Sequence, residues 1–434
     1  MNRGVEMKAA YITLGCKVNQ YDTEAMQEIM ESHGVETVRF DEKADFYIIN
    51  TCTVTNIADR KSRQMIHRAS KKNPEAAIIV CGCLAQREPE LLKSEGISAV
   101  IGTKNRADIY NVAMDALLGK RTDAVSDNSK DTCFEELKIS RSGERTRAYI
   151  KICEGCNNFC SYCIIPYARG RVRSRKLDEI VSEAERLSKS GVKEVVLTGI
   201  HLGSYGKDTG EAQLIDVIEA VNKVNGIMRI RLGSLEPSLL TEEFCFRASK
   251  LKKLCPQFHI SLQSGCTSVL RRMNRKYTAE EYEKYVGNVR KYFEYPAITT
   301  DIITGFPGET PEEHRQTLDF IKKIRFSKIH VFPYSEREGT VAAKMPGRVP
   351  VSERKKRGAQ ISSESEKMAE EYCEAFVGKD IKALFLEKTK ENDALYEGLT
   401  DRYITVIADG KSGEILPVHI EKRQGTALYG KCIK

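Results

Sequence analysis

Residues 148–163 read AYIKICEGCNNFCSYC, and this stretch decides the fold. Its first five residues are an apolar run of strand character, and Cys156, Cys160 and Cys163 follow in the loop behind it at CxxxCxxC spacing. The carboxyl end of a strand in a parallel α/β sheet is where a cofactor sits. Three thiolates at this spacing can wrap one face of a cubane iron-sulfur cluster and leave one iron without a protein ligand, open to an external molecule. A structural zinc site is the competing reading, because Cys153 with Cys156 and Cys160 with Cys163 form two CxxC pairs. Only three residues separate those pairs, where zinc modules usually place a dozen or more. Cys153 continues the strand pattern and reads as a buried thiol.

Working outward, six strand candidates lie at 148–152, 192–198, 227–232, 257–262, 297–304 and 327–332, with helical stretches between them such as 177–190 and 278–293. Repeated strand-helix units imply a parallel sheet, and six of them predict an open, partial (βα)6 barrel. Polar or glycine-containing turns end these strands: Gly199 after the second, Glu236 after the third, Gln263 after the fourth, and Asp301 at the fifth. Each alone is an ordinary turn. Together with the cysteine loop they mark one face of the sheet as a ligand site, with Gly199, Glu236, Gln263 and Asp301 as cofactor-binding candidates.

Before the barrel, runs at 9–14, 46–50 and 77–80 read as buried strands of a small Rossmann-like α/β domain over residues 7–120. A cysteine follows each of them: Cys16 in TLGCKVNQ, Cys52 in NTCTV, and Cys81 and Cys83 in CGCLAQ. Three thiolates from distant points of the chain could converge at one edge of a parallel sheet, as a second cluster requires. Residues 121–144 lack an apolar period and read as a linker to the domain at 145–370. After a charged helix at 351–372, residues 371–434 carry short β-rich runs punctuated by glycines, predicting a small antiparallel β-barrel.

Composition bounds the rest. A chain of 434 residues suits two or three domains, and 41% hydrophobic with 30% charged residues describes a globular protein. No apolar run approaches the roughly 18 residues that cross a bilayer, and Met1–Met7 holds no apolar core of a secretory signal, so a cytoplasmic protein is expected, with Met7 a possible true start. Fourteen cysteines in a reducing compartment point to metal binding rather than disulfides. Lysine and arginine exceed aspartate and glutamate by 69 − 61 = 8, which is compatible with a polyanionic partner. Arg169, Arg171, Arg173, Arg175 and Lys176 place five cations in eight residues beside the cysteine loop, where they could contact phosphates. The 371–434 segment, with 10 lysines and arginines against 11 acidic residues, is not basic.

EGCNNFCSYCIIPYARG, with RVRSRK following, is similar to the cluster motif of the radical S-adenosylmethionine (SAM) methylthiotransferases, and the resemblance covers nearly the whole chain. It implies a catalytic [4Fe-4S] cluster on Cys156, Cys160 and Cys163 that binds SAM and cleaves it to a 5′-deoxyadenosyl radical. It also implies an auxiliary [4Fe-4S] cluster on Cys16, Cys52 and Cys83 that carries the transferred sulfur; Cys81 departs from the family pattern, and Cys83 is favoured. Cys133, Cys245, Cys255, Cys266, Cys373 and Cys432 match no family ligand. The tail resembles the TRAM domain, an RNA-binding β-barrel. GCKVNQYDTEAM looks like the branch that methylthiolates N6-threonylcarbamoyladenosine at position 37 of tRNA. Implied partners are the tRNA anticodon loop, where a base can be splayed out of its stack, an electron donor such as flavodoxin or ferredoxin, and a sulfur donor, with no membrane. Competing readings are methylthiolation of isopentenyladenosine in tRNA, methylthiolation of a ribosomal-protein aspartate, and a non-catalytic zinc RNA-binding module.

Overall fold

The structure, a computed structural model, describes residues 7–93, 96–129, 131–140, 146–390 and 392–433. The stretch before Met7, residues 130 and 141–144 of the expected linker, residue 145 and residue 434 lie outside the described residues.

The amino-terminal strands β1 (Lys8–Thr13), β2 (Glu36–Val38), β3 (Phe46–Thr51), β4 (Ala77–Gly82), β5 (Ala99–Ile101) and β6 (Thr122–Ala124) form one sheet in the order β2-β1-β3-β4-β5-β6, with every pairing parallel. β3 and β4 are buried at all six positions, as strands covered by helices on both faces must be. The period-two alternation sends Phe46, Ile48, Ile79, Cys81 and Ile101 into one core, and Tyr47, Ile49, Ile78, Val80 and Val100 into the other. Strand order reverses between β1 and β3, and the crevice beyond their carboxyl ends is where an open α/β sheet holds ligands.

The central domain contains β7 (Arg147–Glu154), β8 (Arg173–Ser174), β9 (Glu194–Gly199), β10 (Arg229–Leu232), β11 (Ser234–Leu235), β12 (Gln257–Ile260), β13 (Ala297–Thr304) and β14 (Lys328–Pro333). The sheets β10-β9-β7-β8 and β11-β12-β13-β14 are joined by a parallel bridge between Ile230 and Leu254. The six parallel strands therefore follow one another around a partial barrel, with β14 at one edge and β7 at the other, where only the two-residue β8 adds an antiparallel pairing. The amphipathic helix Lys17–Ser32 of the first domain packs beside β7, where its Tyr21 and Ala25 enter the central core and the Tyr21 hydroxyl donates to Leu137 O at 2.6 Å.

The 121–144 stretch does more than connect. Thr122–Ala124 adds the sixth strand of the first sheet, Leu137 and Ile139 are buried in the central core, and Glu135 and Glu136 pair with Arg106 and Arg175. Its apolar residues are too few to show a period, and they are spent on anchoring rather than on an element.

The tail strands β15 (Asp380–Lys388), β16 (Tyr396–Thr400), β17 (Thr405–Ala408), β18 (Ile415–Gln424) and β19 (Ala427–Cys432) close into a barrel in the order β15-β16-β17-β19-β18. Four of its five pairings are antiparallel; the β17-β19 pairing that completes closure is parallel. This barrel docks at the amino ends of the central strands. Arg229 and Arg231 donate to its Leu399, Lys382, Thr400 and Asp401 carbonyls, and Arg147 and Arg231 lie over the Tyr403 ring.

Candidate active site

The loop after β7 holds Cys156, Cys160 and Cys163, and it is strapped from outside by residues 272–275. Ser161 donates to Arg272 O at 2.8 Å and Asn274 to Phe159 O at 3.0 Å. Burial, together with the neighbouring thiols, pushes Cys156 up to about 11 and Cys163 up to about 12. Such thiols stay protonated unless a cation displaces the proton, which is what metal binding does. Arg275, absent from the reading of the sequence, supplies a permanent positive charge here. It donates to Cys160 Sγ at 3.2 Å and to both oxygens of Glu236 at 3.1 and 3.0 Å. His201 Nε2 lies 3.2 Å from Glu236 Oε2 and 3.1 Å from Asn158 Nδ2, so Glu236 braces this side of the loop. Burial would raise the Glu236 carboxyl, but His201 and Arg275 hold it below the ordinary range.

The other strand-end candidates divide. Gly199 and Asp301 line the barrel cavity, Asp301 with its carboxylate 3.1 Å from His259 Nε2. A side chain at Gly199 would put its Cβ 2.4 Å from Cys153 Sγ, so the glycine is demanded by the buried Cys153 as much as by any ligand. Gln263 takes a left-handed φ of +74° and bridges β13 through its backbone, accepting from Ile303 and donating to Asp301 O, both at 2.9 Å.

The second trio is assembled by the first sheet. Cys16 follows β1 and Cys52 follows β3, flanking the reversal in strand order, while Cys83 opens the short helix Cys83–Arg87 behind β4. Gly15 has φ +99°, and a Cβ there would meet Cys52 Cβ at 2.7 Å, so only glycine lets the Cys16 segment approach Cys52 this closely. Burial, then the Cys83 thiol, push Cys52 up to about 12, and Cys83 is raised by burial as well. Cys81 points elsewhere. It lies in β4 with its thiol 3.7 Å from Ile49 O, inside the core beneath the helix Lys17–Ser32. The donor set of each trio is three soft thiolates with an arginine beside one of them, which suits an anionic iron-sulfur cluster lacking a fourth protein ligand. Among the described residues, no three His, Cys, Asp or Glu side chains crowd closely enough to grip a single ion.

Arg169 connects the two trios. Its Nε donates to Cys83 Sγ at 3.3 Å, and its other nitrogens bond Glu154, at the head of the cluster loop, and Asn19, in the helix behind Cys16. Around it lies a fully desolvated network: Asp22 with Arg106 and Lys151, and Glu154 with Arg106, Lys151, Arg169 and Arg173. The expectation that the 169–176 run meets phosphates is therefore corrected for Arg169, Arg173 and Arg175, while Arg171 and Lys176 are exposed. Arg169, Arg173 and Arg175 are at most 1% exposed and are committed to carboxylates of both domains, because leaving either sign alone in this interior would cost several kcal/mol.

A cavity of about 1070 Å³ runs along the open side of the barrel, lined by Cys16, Lys17, Gly199, His259, Asp301 and Tyr403 among others, so all three domains contribute to its wall. The Lys17 ammonium makes no ion pair or hydrogen bond among the described residues. A second cavity, about 650 Å³ beside the helix Leu214–Asn222, is lined by none of the thiols.

The comparisons agree with this geometry. Residues 8–102 match the family described as Uncharacterized protein family UPF0004, and residues 150–321 match the Radical SAM superfamily. Threonylcarbamoyladenosine tRNA methylthiotransferase MtaB of Bacillus subtilis is 41% identical over 95% of this chain and 93% of that protein. The Aquifex aeolicus protein of the same name is 37% identical over 93% and 97%. A tRNA-2-methylthio-N(6)-dimethylallyladenosine synthase of Acetivibrio thermocellus is 33% identical over 97% and 90%. Among solved structures, the radical SAM methyltransferase TsrM of Kitasatospora setae shares the fold, with a TM-score of 0.57 at 16% identity over 78% of this chain and 77% of that one. Fold and site together define a radical SAM enzyme, a class that works with SAM and a [4Fe-4S] cluster. Within it, the chain belongs to the radical SAM methylthiotransferase family. Among the described residues no helix is long and apolar enough to cross a membrane.

Proposed function

We propose that this enzyme transfers a methylthio group to C2 of N6-threonylcarbamoyladenosine at position 37 of tRNA, in the cytoplasm, using two [4Fe-4S] clusters. The observation that carries the reading is that two trios of cysteines from different domains are linked through Arg169, which bonds Cys83 of one trio and Glu154 at the start of the other trio's loop, while Cys16 lines the barrel cavity. Cys156, Cys160 and Cys163 would hold the SAM-cleaving cluster, and Cys16, Cys52 and Cys83 the sulfur-bearing one. When bound, these groups supply the one-electron cleavage of SAM and the sulfur that is methylated and transferred. The chain's own residues do the rest. Arg275 and Arg169 offset the thiolate charge of each trio, and Glu236 with His201 fixes Arg275 against the loop. The buried network between the domains keeps water out of the space between the trios. Gly199 and Asp301 wall the cavity that receives the reacting base.

Lys17 favours the threonylcarbamoyl branch over the isopentenyl one. An ammonium without a carboxylate partner in the cavity wall suits the threonyl carboxylate, whereas an isopentenyl group would leave it unanswered. The reaction also calls on an electron donor such as flavodoxin or ferredoxin, and on a sulfur donor. Nucleoside digests of tRNA from cells with and without the gene test the reading. Loss of 2-methylthio-N6-threonylcarbamoyladenosine alone is expected. Loss of the methylthio-isopentenyl nucleoside instead would assign the other branch, and an unchanged digest would remove tRNA as the substrate.

A further inference from the structure

A tRNA substrate brings a phosphate backbone, and the two segments expected to meet it offer little free charge. Of the five cations at 169–176, Arg169, Arg173 and Arg175 are buried in ion pairs and only Arg171 and Lys176 are exposed, and the terminal barrel is balanced in charge. The helix Asn56–Lys72, NIADRKSRQMIHRASKK, is different. It carries six lysines and arginines against one acidic residue, Asp59, and that carboxylate is turned away to Arg337 at 2.7 Å. Ser62, Ile66 and Ala69 face the sheet. Arg60, Lys61, Arg68, Lys71 and Lys72 face solvent, spaced so that they share the outer side of the helix, and none forms an ion pair among the described residues. Other helices answer part of their charge with carboxylates, as in Arg357 with Glu353, Lys367 with Glu364, and Lys323 with Glu283.

The position of this helix matches its charge. It begins four residues after Cys52, and Val54, which lines the cavity, stands between them. Arg337 clamps its first turn to the barrel through Thr53 and Asn56, both at 2.6 Å. From that rim the helix runs for 17 residues, about 25 Å, long enough to follow several phosphates of one strand. The large exposed apolar side chains of the segment, Val54 at 46% and Ile57 at 58%, sit at the rim end, where a base would leave its stack.

We propose that the outer face of the helix Asn56–Lys72 is the surface that binds the RNA backbone flanking the base in the cavity. This rests on the tRNA reading above. Unpaired cations at helical spacing, with no acidic residue beyond Asp59, suit a phosphodiester strand better than an acidic protein, which would also need apolar anchors along the face.

The test replaces Arg60, Lys61, Arg68 and Lys71 together by Gln in the full, cluster-loaded enzyme, and Lys382, Lys388, Lys390 and Lys422 of the terminal barrel in a second variant. Affinity for an unmodified tRNA transcript is measured by fluorescence anisotropy across a salt series, alongside methylthiolation kinetics. The helix variant is expected to bind roughly tenfold or more weakly at physiological salt, and its plot of log affinity against log salt to flatten by about 3, for four lost phosphate contacts. KM for tRNA rises, while kcat, iron content and SAM cleavage without tRNA hold. Wild-type affinity and slope in the helix variant would overturn the proposal, as would the slope loss falling on the barrel variant alone. If the wild type binds tRNA through this helix yet makes no methylthio nucleoside, the surface stands and the substrate reading falls. If it binds no tRNA, both fall.

Discussion

The two thiol trios reach similar surroundings by opposite routes. Cys156, Cys160 and Cys163 sit in one loop, eight residues from the first thiol to the last, so the geometry is local and a short strap at residues 272–275 suffices to hold it. Cys16, Cys52 and Cys83 are separated by dozens of residues and meet only because β1, β3 and β4 lie side by side, with the change of direction in strand order beside Cys16 and Cys52. Each trio nevertheless has a buried arginine on one thiol: Arg275 on Cys160, Arg169 on Cys83. The contrast teaches that a trio of thiols can be written into a loop or into a topology, while its charge balance is tertiary in both cases.

Four experiments break or sharpen that contrast, the largest effect first. Cys156→Ala should abolish 5′-deoxyadenosine formation, whereas Cys52→Ala should keep it and lose only the methylthio nucleoside, each variant retaining about four irons per chain instead of about eight. Parallel loss of both activities from Cys52→Ala would show that the two trios are not separable. Arg169→Gln comes next, because it strips a partner from Glu154 and Asp22 in a dry interior; a destabilisation of about 3–5 kcal/mol is expected from denaturant unfolding, with Arg275→Gln, whose pair with Glu236 is less completely buried, costing less. Lys17→Gln should lower kcat/KM for the threonylcarbamoyl substrate by roughly 10- to 100-fold, the worth of one charged hydrogen bond, without changing SAM cleavage. The smallest effect belongs to Cys81→Ala, expected to cost about 1 kcal/mol in stability and leave the iron count where it was. If Cys81→Ala instead loses half the iron while Cys83→Ala does not, the ligand assignment is reversed.

How far these features could be read from the chain varied with their range. The six barrel strands are legible because their apolar runs are separated by helical periods, and the cysteine loop because its thiols are neighbours in sequence. The choice between Cys81 and Cys83 rests on one fact that spacing alone does not contain, namely where β4 ends. A thiol within the strand is carried by the pleat into the core under the helix Lys17–Ser32, while one beyond Gly82 is released toward Arg169. The run at 169–176 reads as a phosphate contact because it places five cations in eight residues beside the cysteine loop, yet Asp22 and Glu183 approach Arg169 and Arg175 from other elements. The helix Asn56–Lys72 carries no such sign in the sequence for the converse reason: its cations look ordinary until Arg169, Arg173 and Arg175 are found to be buried in ion pairs.

By itself, the sequence determined the strand-helix rhythm, the thiols available to iron and the motif that resembles the family, since these depend on spacing along the backbone. Tertiary structure alone decided which charges are buried together, which cysteine faces the site, and that Lys17 and Tyr403, almost four hundred positions apart, wall the same cavity. Electrostatics inside a protein depends on distance and desolvation, and neither is a property of the order of residues.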